Sequence, residues 1–144
     1  MKQIKTDICI IGGGSGGLSL AAGAVQLGAR VVLFEGGQMG GDCLNSGCVP
    51  SKALLAAAKA AYLANGNAAM GITNNPPNID FAAVKAHVAD VIAQIEPHDS
   101  IARFEALGVT VIPEKAHFTS PRTVASATHQ VLSLIHISEP TRRS

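Results

Sequence analysis

Residues 6–35, TDICIIGGGSGGLSLAAGAVQLGARVVLFE, contain the pattern that decides the fold. Residues 6–11 are mostly β-branched or apolar, which is typical of a buried parallel strand. A glycine cluster follows, and then residues 18–27, which are rich in Ala and Leu and stop at Gly28, predict a helix with a glycine just past its end. Residues 29–34 predict a second buried strand. Together these segments make a βαβ unit, so we predict an α/β domain with a parallel sheet.

The glycine cluster satisfies the spacing G-x-G-x-x-G with Gly12, Gly14 and Gly17. In a chain with 15 glycines the spacing alone is weak evidence, but here it lies between a predicted strand and a predicted helix. There the first glycine allows a tight turn, the second lets a pyrophosphate approach the backbone, and the third lets helix and strand pack closely. The start of the helix, with Ser15 and Gly16, offers N–H groups and a positive dipole end to phosphates.

Glu35 closes the second strand, 18 residues after Gly17, where a ribose hydroxyl needs an acceptor. The turn lacks the Gly-Lys-Ser/Thr ending of a P-loop, which excludes that motif. A glycine turn that packs a helix without a ligand is the alternative. The pattern itself does not choose between NAD and FAD.

Residues 36–47 are rich in glycine and predict a loop, with Cys43 inside it and Cys48 directly after it. If Pro50 is near the first position of the helix predicted over 51–63, Cys48 lies at the positive end of that helix. The dipole and the nearby Lys52 both stabilise a thiolate there, which suits thiol–disulfide exchange.

Two other uses of these cysteines are possible. A zinc site needs four ligands, and the chain otherwise offers only Cys9 and scattered histidines. Cys9 lies within the first strand, where we expect a small buried apolar side chain. A purely structural disulfide is the second alternative. We favour a redox pair, because cysteines in a cytoplasmic protein are more often catalytic or metal-binding than structural.

Residues 40–52, GGDCLNSGCVPSK, resemble the active-site signature of the pyridine nucleotide–disulfide oxidoreductases. This family includes dihydrolipoamide dehydrogenase, glutathione reductase and mercuric reductase. The order of strand, glycine turn, helix, strand, Glu and cysteine loop also matches, and the resemblance extends over residues 6–128. It implies a Rossmann-like FAD-binding domain, incomplete here, over residues 1–131. The NAD(P)H and dimerisation domains of the family would follow it.

The resemblance also implies roles for individual residues. Cys48 would lie against the flavin as the charge-transfer thiol, Cys43 would attack a disulfide substrate or bind a metal ion, and Lys52 would approach the flavin. Electrons would pass from NAD(P)H to FAD, to the cysteine pair and to the acceptor. The implied cofactor-binding residues are Gly12, Gly14, Ser15, Gly16, Gly17, Glu35, Gly41, Asp42, Cys43, Cys48 and Lys52. The parent protein would be a homodimer, and we expect this portion to be inactive alone.

Some positions depart from the family pattern or lie outside it. Many members have Thr at the position of Asp42, whose carboxylate would disfavour the Cys43 thiolate by like-charge repulsion. The family's His–Glu pair comes from the absent C-terminal domain of the other subunit. The chain's own histidines are therefore poor candidates for the catalytic base, namely His87, His98, His117, His129 and His136. His98 and Asp99 form a possible pair, but we expect Asp99 to cap a helix.

The composition excludes several classes of function. With a net charge of +1 and 3% aromatic residues, the chain offers neither electrostatic attraction nor stacking surfaces to nucleic acid. No apolar run approaches the length of a membrane span, and the N terminus resembles no export signal. We predict a cytoplasmic protein with no nucleic-acid or membrane partner. A non-enzymatic nucleotide-binding redox module is the alternative to an enzyme.

The rest of the chain predicts further elements. Residues 65–78 predict a loop, residues 81–95 an amphipathic helix that Pro97 ends or kinks, and residues 99–107 a second helix. Residues 109–112 predict a strand, and residues 116–125 predict one or two more.

The last residues, 132–144, do not resemble the rest of the chain. Residues 132–142, LSLIHISEPTR, resemble the translation of a transposase-end adapter used to build sequencing libraries. We interpret residues 132–144 as a non-native tail and make no structural prediction for them. An ordinary apolar strand with a polar end is the alternative.

Overall fold

The computed structural model describes residues 1–138. The strands are β1 (Lys2–Ile11), β2 (Val31–Phe34), β3 (Gly66–Asn67), β4 (Ile72–Thr73), β5 (Thr110–Ile112), β6 (His117–Ser120), β7 (Thr123–Ala125) and β8 (His129–Ser138). The helices are α1 (Ser15–Gln26), α2 (Gly41–Asn45), α3 (Cys48–Ala64), α4 (Phe81–Ile95) and α5 (Ile101–Ala106). Two short 3₁₀ turns, Ala68–Met70 and Glu96–Asp99, complete the elements.

The main sheet has six strands in the order β5-β2-β1-β8-β7-β6. The strands β5, β2, β1 and β8 are parallel, whereas β6, β7 and β8 form an antiparallel meander. The predicted βαβ unit is confirmed, with Ile8 opposite Val31 and Ile11 opposite Phe34. Because parallel strands end at one edge, the turns after β1 and β2 come together there.

Both faces of the parallel strands are covered, which explains their continuous apolar sequence. Successive residues of a strand point to opposite faces. Ile10 and Leu33 therefore join one core with α1 and α5, while Cys9 and Val32 join another beneath the meander. The first core also contains Leu18, Ala21, Ala24, Val31, Phe104, Val109 and Val111, and the second contains Phe34, Ile112, Val124 and Val131.

The helices α3 and α4 pack on each other but bury little. Only Ala53 of α3 is buried, and α4 has no buried residue. The predicted bounds of α4 are confirmed, and Asp80 caps it by accepting bonds from the N–H groups of Ala82 and Ala83. The predicted loop over 65–78 contains the short hairpin β3–β4.

Two predicted details of the helices are wrong. The loop over 36–47 contains the short helix α2, which starts after Gly40. Asp99 does not cap α5, because it lies in the preceding 3₁₀ turn and the hydroxyl of Ser100 accepts the bond from the N–H of Arg103 instead.

The first residues of the segment 132–144, for which we made no structural prediction, belong to the main sheet. Residues 132–138 continue β8, which pairs with β1 from Lys2–His129 to Ile11–Ser138. An apolar, partly alternating segment pairs in this way whatever its origin. The non-native origin of the tail therefore stays a prediction, and residues 139–144 lie outside the described residues.

Candidate functional site

The glycine turn between β1 and α1 is as tight as its spacing suggests. Gly12 has a φ of 114°, which L side chains rarely adopt, and its N–H donates to the Phe34 carbonyl at 2.8 Å. A Cβ on Gly17 would lie 2.0 Å from the carbonyl oxygen of Gly12. Only glycine at position 17 lets α1 start directly at the end of β1.

The N terminus of α1 lies at this turn. Gly14 is its N-cap residue and makes no side-chain cap bond, since it has no side chain. The next two residues, Ser15 and Gly16, are exposed. The positive end of the helix dipole therefore lies open at the edge of the sheet, which is the arrangement that binds phosphates.

Glu35 joins the glycine turn to the end of β2. Its Oε2 accepts a bond from the Gly13 N–H at 2.6 Å, and its Oε1 accepts one from the Gly37 N–H at 2.6 Å. A carboxylate has about four acceptor sites, so two remain for ligand hydroxyls. Glu35 thus has a fixed position and free capacity, which a ribose-binding acceptor requires.

The cysteine loop packs directly on the glycine turn. The N–H of Gly40 donates to the Gly13 carbonyl at 2.8 Å, and Gly14 and Gly40 form an isolated parallel bridge. A Cβ on Gly41 would lie 2.8 Å from the Cα of Gly14. Gly40 and Gly41 both have positive φ angles, 84° and 58°. The two motifs therefore form one continuous surface.

The short helix α2 contains Cys43 and is fixed by hydrogen bonds of Asn45 and by the buried side chain of Leu44. The side-chain amide of Asn45 donates to the carbonyls of Met39 at 3.1 Å and Gly41 at 2.8 Å, and Leu44 is buried. These local bonds could have been suspected from an Asn within a glycine-rich segment, because Asn often bonds its own backbone in turns.

The two predicted redox cysteines lie near enough for Cys48 to influence the pKa of Cys43. Cys48 is the first residue of α3, two residues before Pro50, so it lies at the positive end of that helix, as predicted. Both thiols are free, with Cys43 half-buried and Cys48 exposed. The pKa of the Cys43 thiol is raised, chiefly through its interaction with the Cys48 side chain. Desolvation adds to the increase, while the positive charge of Lys52 opposes it.

The role of Asp42 differs from its prediction. The predicted direction of the Cys43 pKa shift is found, but its causes are Cys48 and desolvation rather than Asp42. Asp42 is exposed, and its carboxylate accepts a bond from the Ser46 hydroxyl at 3.4 Å.

Cys9 differs from the redox pair. It is fully buried in β1, and burial raises its pKa to about 12. This confirms the prediction that it serves as a small apolar side chain.

A cavity of about 350 Å³ connects Glu35 with the cysteine loop. Its walls come from the end of β2 and from α2. The lining residues are Glu35, Gly37, Gln38, Gly41, Asp42, Asn45 and Ser46.

The model of the pyridine nucleotide-disulphide oxidoreductase family matches residues 6–134. The chain belongs to this family. It is 33% identical over 125 residues to a mercuric reductase of Bacillus cereus, covering 87% of this chain and 20% of that protein. It is 41% identical over 130 residues to a dihydrolipoyl dehydrogenase of Pseudomonas aeruginosa, covering 87% of this chain and 28% of that one.

The fold of this family member is also found in a solved structure. The Cu(II) complex of the HOCl-induced flavoprotein disulfide reductase RclA from Escherichia coli superposes with a TM-score of 0.72. At 22% identity, the match covers 96% of this chain and 29% of that one. The chain thus spans less than a third of the length of these relatives. The family uses FAD, with NAD(P)H as co-substrate.

Two further residues border the family's cysteine loop and glycine turn, and both come from distant parts of the chain. Oδ2 of Asp99 would lie 3.1 Å from a Cβ on Gly40. The Cγ of Lys115 would lie 2.3 Å from a Cβ on Gly36. The sequence marked Asp99 only as a possible partner of His98 and as a helix cap, and it did not mark Lys115, since the proximity of both residues to the loop depends on how the chain returns to the sheet edge.

Other features lie outside this site. Within residues 1–138, no group of three or more His, Cys, Asp or Glu side chains is placed to hold a metal ion. In the same part of the chain, no helix combines the length and the apolar composition that crossing a membrane requires.

Proposed function

We propose that this chain is the FAD-binding portion of an enzyme that passes electrons from NAD(P)H through FAD to a Cys43–Cys48 disulfide and on to an acceptor. The observation that carries the proposal is the packing of the cysteine loop on the glycine turn, through the Gly40–Gly13 bond and the Gly14–Gly40 bridge. This loop holds Cys43 and leads directly to Cys48 at the start of α3, and Cys48 influences the pKa of Cys43.

The residues at the sheet edge fit FAD. The close approach of Gly17 to Gly12 packs the start of α1 on the end of β1, and this helix start, which has no side-chain cap, suits the negative charge of a pyrophosphate. Glu35 has acceptor capacity for a ribose of the adenosine half. When bound, FAD would supply the two-electron chemistry that links a nicotinamide to a disulfide.

The cysteines would carry out the chain's own part of the reaction. Two electrons and two protons convert the Cys43–Cys48 disulfide into two thiols as the S–S bond breaks. The deprotonated Cys43 then attacks an acceptor disulfide, and Cys48 displaces the reduced acceptor and restores the bond. The positive charge of Lys52 partly opposes the increase in the Cys43 pKa and in that way favours the thiolate.

The acceptor is a small disulfide or a metal ion. Relatives of both kinds are similar to this chain, a dihydrolipoyl dehydrogenase and a mercuric reductase. Asp42 and the segment 97–100 favour a mercuric reductase-like parent. An assay of the full-length parent with lipoamide and with mercuric ion separates the two, and activity on neither would refute both.

Further parts of the protein are needed for turnover. Because the chain spans 20% to 29% of its relatives, we expect it to be inactive alone and the parent to be a cytoplasmic homodimer. Size-exclusion chromatography of the parent tests the dimer.

We also propose that residues 132–144 are not native to this protein. The family match ends at residue 134. Among the described residues, Nε2 of His136 is buried without a hydrogen-bond partner, and Leu134 is 74% exposed. A segment selected for this position would pair its buried polar atoms. Sequencing the source locus across this junction tests the proposal, and finding the tail encoded there would contradict it.

The redox role is tested by equilibrating the chain in glutathione buffers and weighing it by mass spectrometry. We expect Cys43 and Cys48 to form an intramolecular disulfide, seen as the loss of two hydrogen atoms. Cys43→Ser should abolish the disulfide, whereas Cys9→Ser should leave it intact. A disulfide that forms only between chains, or that persists in Cys43→Ser, would refute the proposed pair.

A further inference from the structure

The connection between β5 and β6, residues 113–116, leans over the end of β2. The carbonyl of Ile112 accepts bonds from two N–H groups, that of Glu35 at 3.0 Å and that of Glu114 at 2.8 Å. The stem and backbone of Lys115 then lie over Gly36, with Cγ, Cα and N at 2.3, 3.0 and 3.1 Å from the position of a Gly36 Cβ. The connection therefore packs on Gly36, the residue that follows the Glu35 that we assign to the ribose.

Glu114 fastens this connection to the turn between β7 and β8. Its Oε2 accepts a bond from the Thr128 N–H at 3.1 Å, and its Oε1 accepts one from the Thr128 hydroxyl. His129 lies 3.8 Å from Oε1, and its Nδ1 is 2.7 Å from the Thr128 hydroxyl. Hydrogen bonds from Ser126 and Thr128 lower the pKa of Glu114 to about 2, so it is ionised at neutral pH.

We infer that Glu114 is a positioning residue for nucleotide binding, which holds Lys115 against Gly36 as the outer wall of the adenosine end of the site. The inference rests on the proposed function, because it assumes that a nucleotide binds beside Glu35. Glu114 does not face that position itself. It acts through the side-chain stem of Lys115, the residue that follows it.

The hydrogen bonds from Thr128 to Glu114 affect how well residues 113–116 are ordered before a ligand binds. Charge-assisted hydrogen bonds are stronger and more directional than neutral ones. Without them, residues 113–116 keep the bond from the Glu114 N–H to the Ile112 carbonyl and the packing of Ala116 on the second core. A wall that must be ordered when the ligand binds lowers the affinity, since the ordering opposes binding.

The test titrates the 144-residue chain with ADP and with FAD and measures both dissociation constants. Glu114→Gln should weaken the binding of both nucleotides about tenfold, because it replaces a charged acceptor by a neutral amide. Thr128→Val should act in the same direction. In a Lys115→Ala background, Glu114→Gln should change the affinity less than about twofold, because the wall is already removed.

Asp7→Asn is the matched control. Asp7 is also a carboxylate whose pKa is lowered to about 2, through its bonds to Arg30, but it lies at the other end of β2 from Glu35. We expect it to reduce the stability of the chain and leave both dissociation constants unchanged. A role of Glu114 in stability alone would make the two variants alike.

The outcomes separate the inference from the proposed function. If the unaltered chain binds neither nucleotide at millimolar concentration, the proposed function and the inference both fail. If it binds them and Glu114→Gln binds equally well, the inference alone is overturned. A loss of FAD affinity without a loss of ADP affinity also overturns it, because the effect would then lie away from the adenosine end.

Discussion

The three cysteines have the same side chain, but the fold gives them different surroundings. Cys48 is exposed at a helix start, and Cys43 is half-buried beside it, whereas Cys9 is 0% exposed in the sheet. Thiol reactivity depends on access and on the fraction of thiolate. The fold therefore separates one inaccessible thiol from two thiols that solvent reaches.

This difference predicts selective alkylation. When the reduced chain is treated with iodoacetamide at pH 8, Cys43 and Cys48 should be labelled and Cys9 should stay unmodified, since burial raises its pKa to about 12. Peptide mapping by mass spectrometry reads each site separately. Unfolding in urea should make all three react, and equal labelling in the folded chain would contradict the assignment.

At the scale of elements, the site depends on the close contacts of two glycine-rich turns. The turn after β1 brings α1 onto the strand, and Gly40 and Gly41 bring the cysteine loop onto that turn. Glu35 and Glu114 then fasten the neighbouring connections through backbone N–H groups. The contacts of Gly40 and Gly41 hold the cysteine loop against the glycine turn.

The turn between β1 and α1 is tested by two substitutions in one helix. Gly17→Ala places a Cβ 2.0 Å from the Gly12 carbonyl and should lower the free energy of unfolding by about 2–3 kcal/mol. Gly23→Ala meets nothing within 4 Å and should raise it by about 0.5–1 kcal/mol, because alanine favours the helix. Urea titration measures both, and similar effects of the two variants would show that the predicted clash is absent.

The hydrogen bonds that the Glu114 carboxylate accepts from Thr128 predict a pH dependence of stability. Its pKa falls from an ordinary value of 4.5 to about 2 on folding, so its stabilisation is present above pH 4.5 and is lost as the pH falls towards 2. The difference in unfolding free energy between the unaltered chain and Glu114→Gln should shrink over that window. For Asp7→Asn the window starts at 3.8. A difference that stays constant down to pH 2 would contradict the assignment.

The sequence predicts the parts of the site that depend on local patterns. The βαβ unit and the start of α3 near Pro50 follow from strand periodicity, glycine spacing and a helix signal. The packing of Lys115 on Gly36 was not predictable, because it depends on contacts between distant segments. The cap of α5 shows the same limit locally, since Asp99 and Ser100 are both good caps and the turn geometry selects Ser100.

At the scale of the whole molecule, much apolar surface is left open. The hairpin of α3 and α4 exposes Leu55 at 66%, Tyr62 at 77%, Leu63 at 64% and Phe81 at 62%. Patches of this kind mark surfaces that are covered by other protein. The relatives are more than three times as long as the part matched here, which provides ample chain to cover them.

This exposure predicts poor behaviour of the isolated chain. We expect low solubility and weak FAD retention, with well under one FAD per chain after gel filtration, because the exposed apolar surface promotes association. Light scattering and the ratio of flavin to protein absorbance measure both. A soluble monomer that purifies with one FAD per chain would show this prediction to be wrong.

The central claim is that Cys43 and Cys48 lie beside a bound flavin. It is tested most directly by adding FAD to the dithiothreitol-reduced chain and recording the visible absorbance spectrum. We predict a long-wavelength band from contact between a thiolate and the flavin, which is lost in Cys48→Ser and kept in Cys43→Ser. Binding of FAD without such a band, or a band that survives Cys48→Ser, would contradict the account.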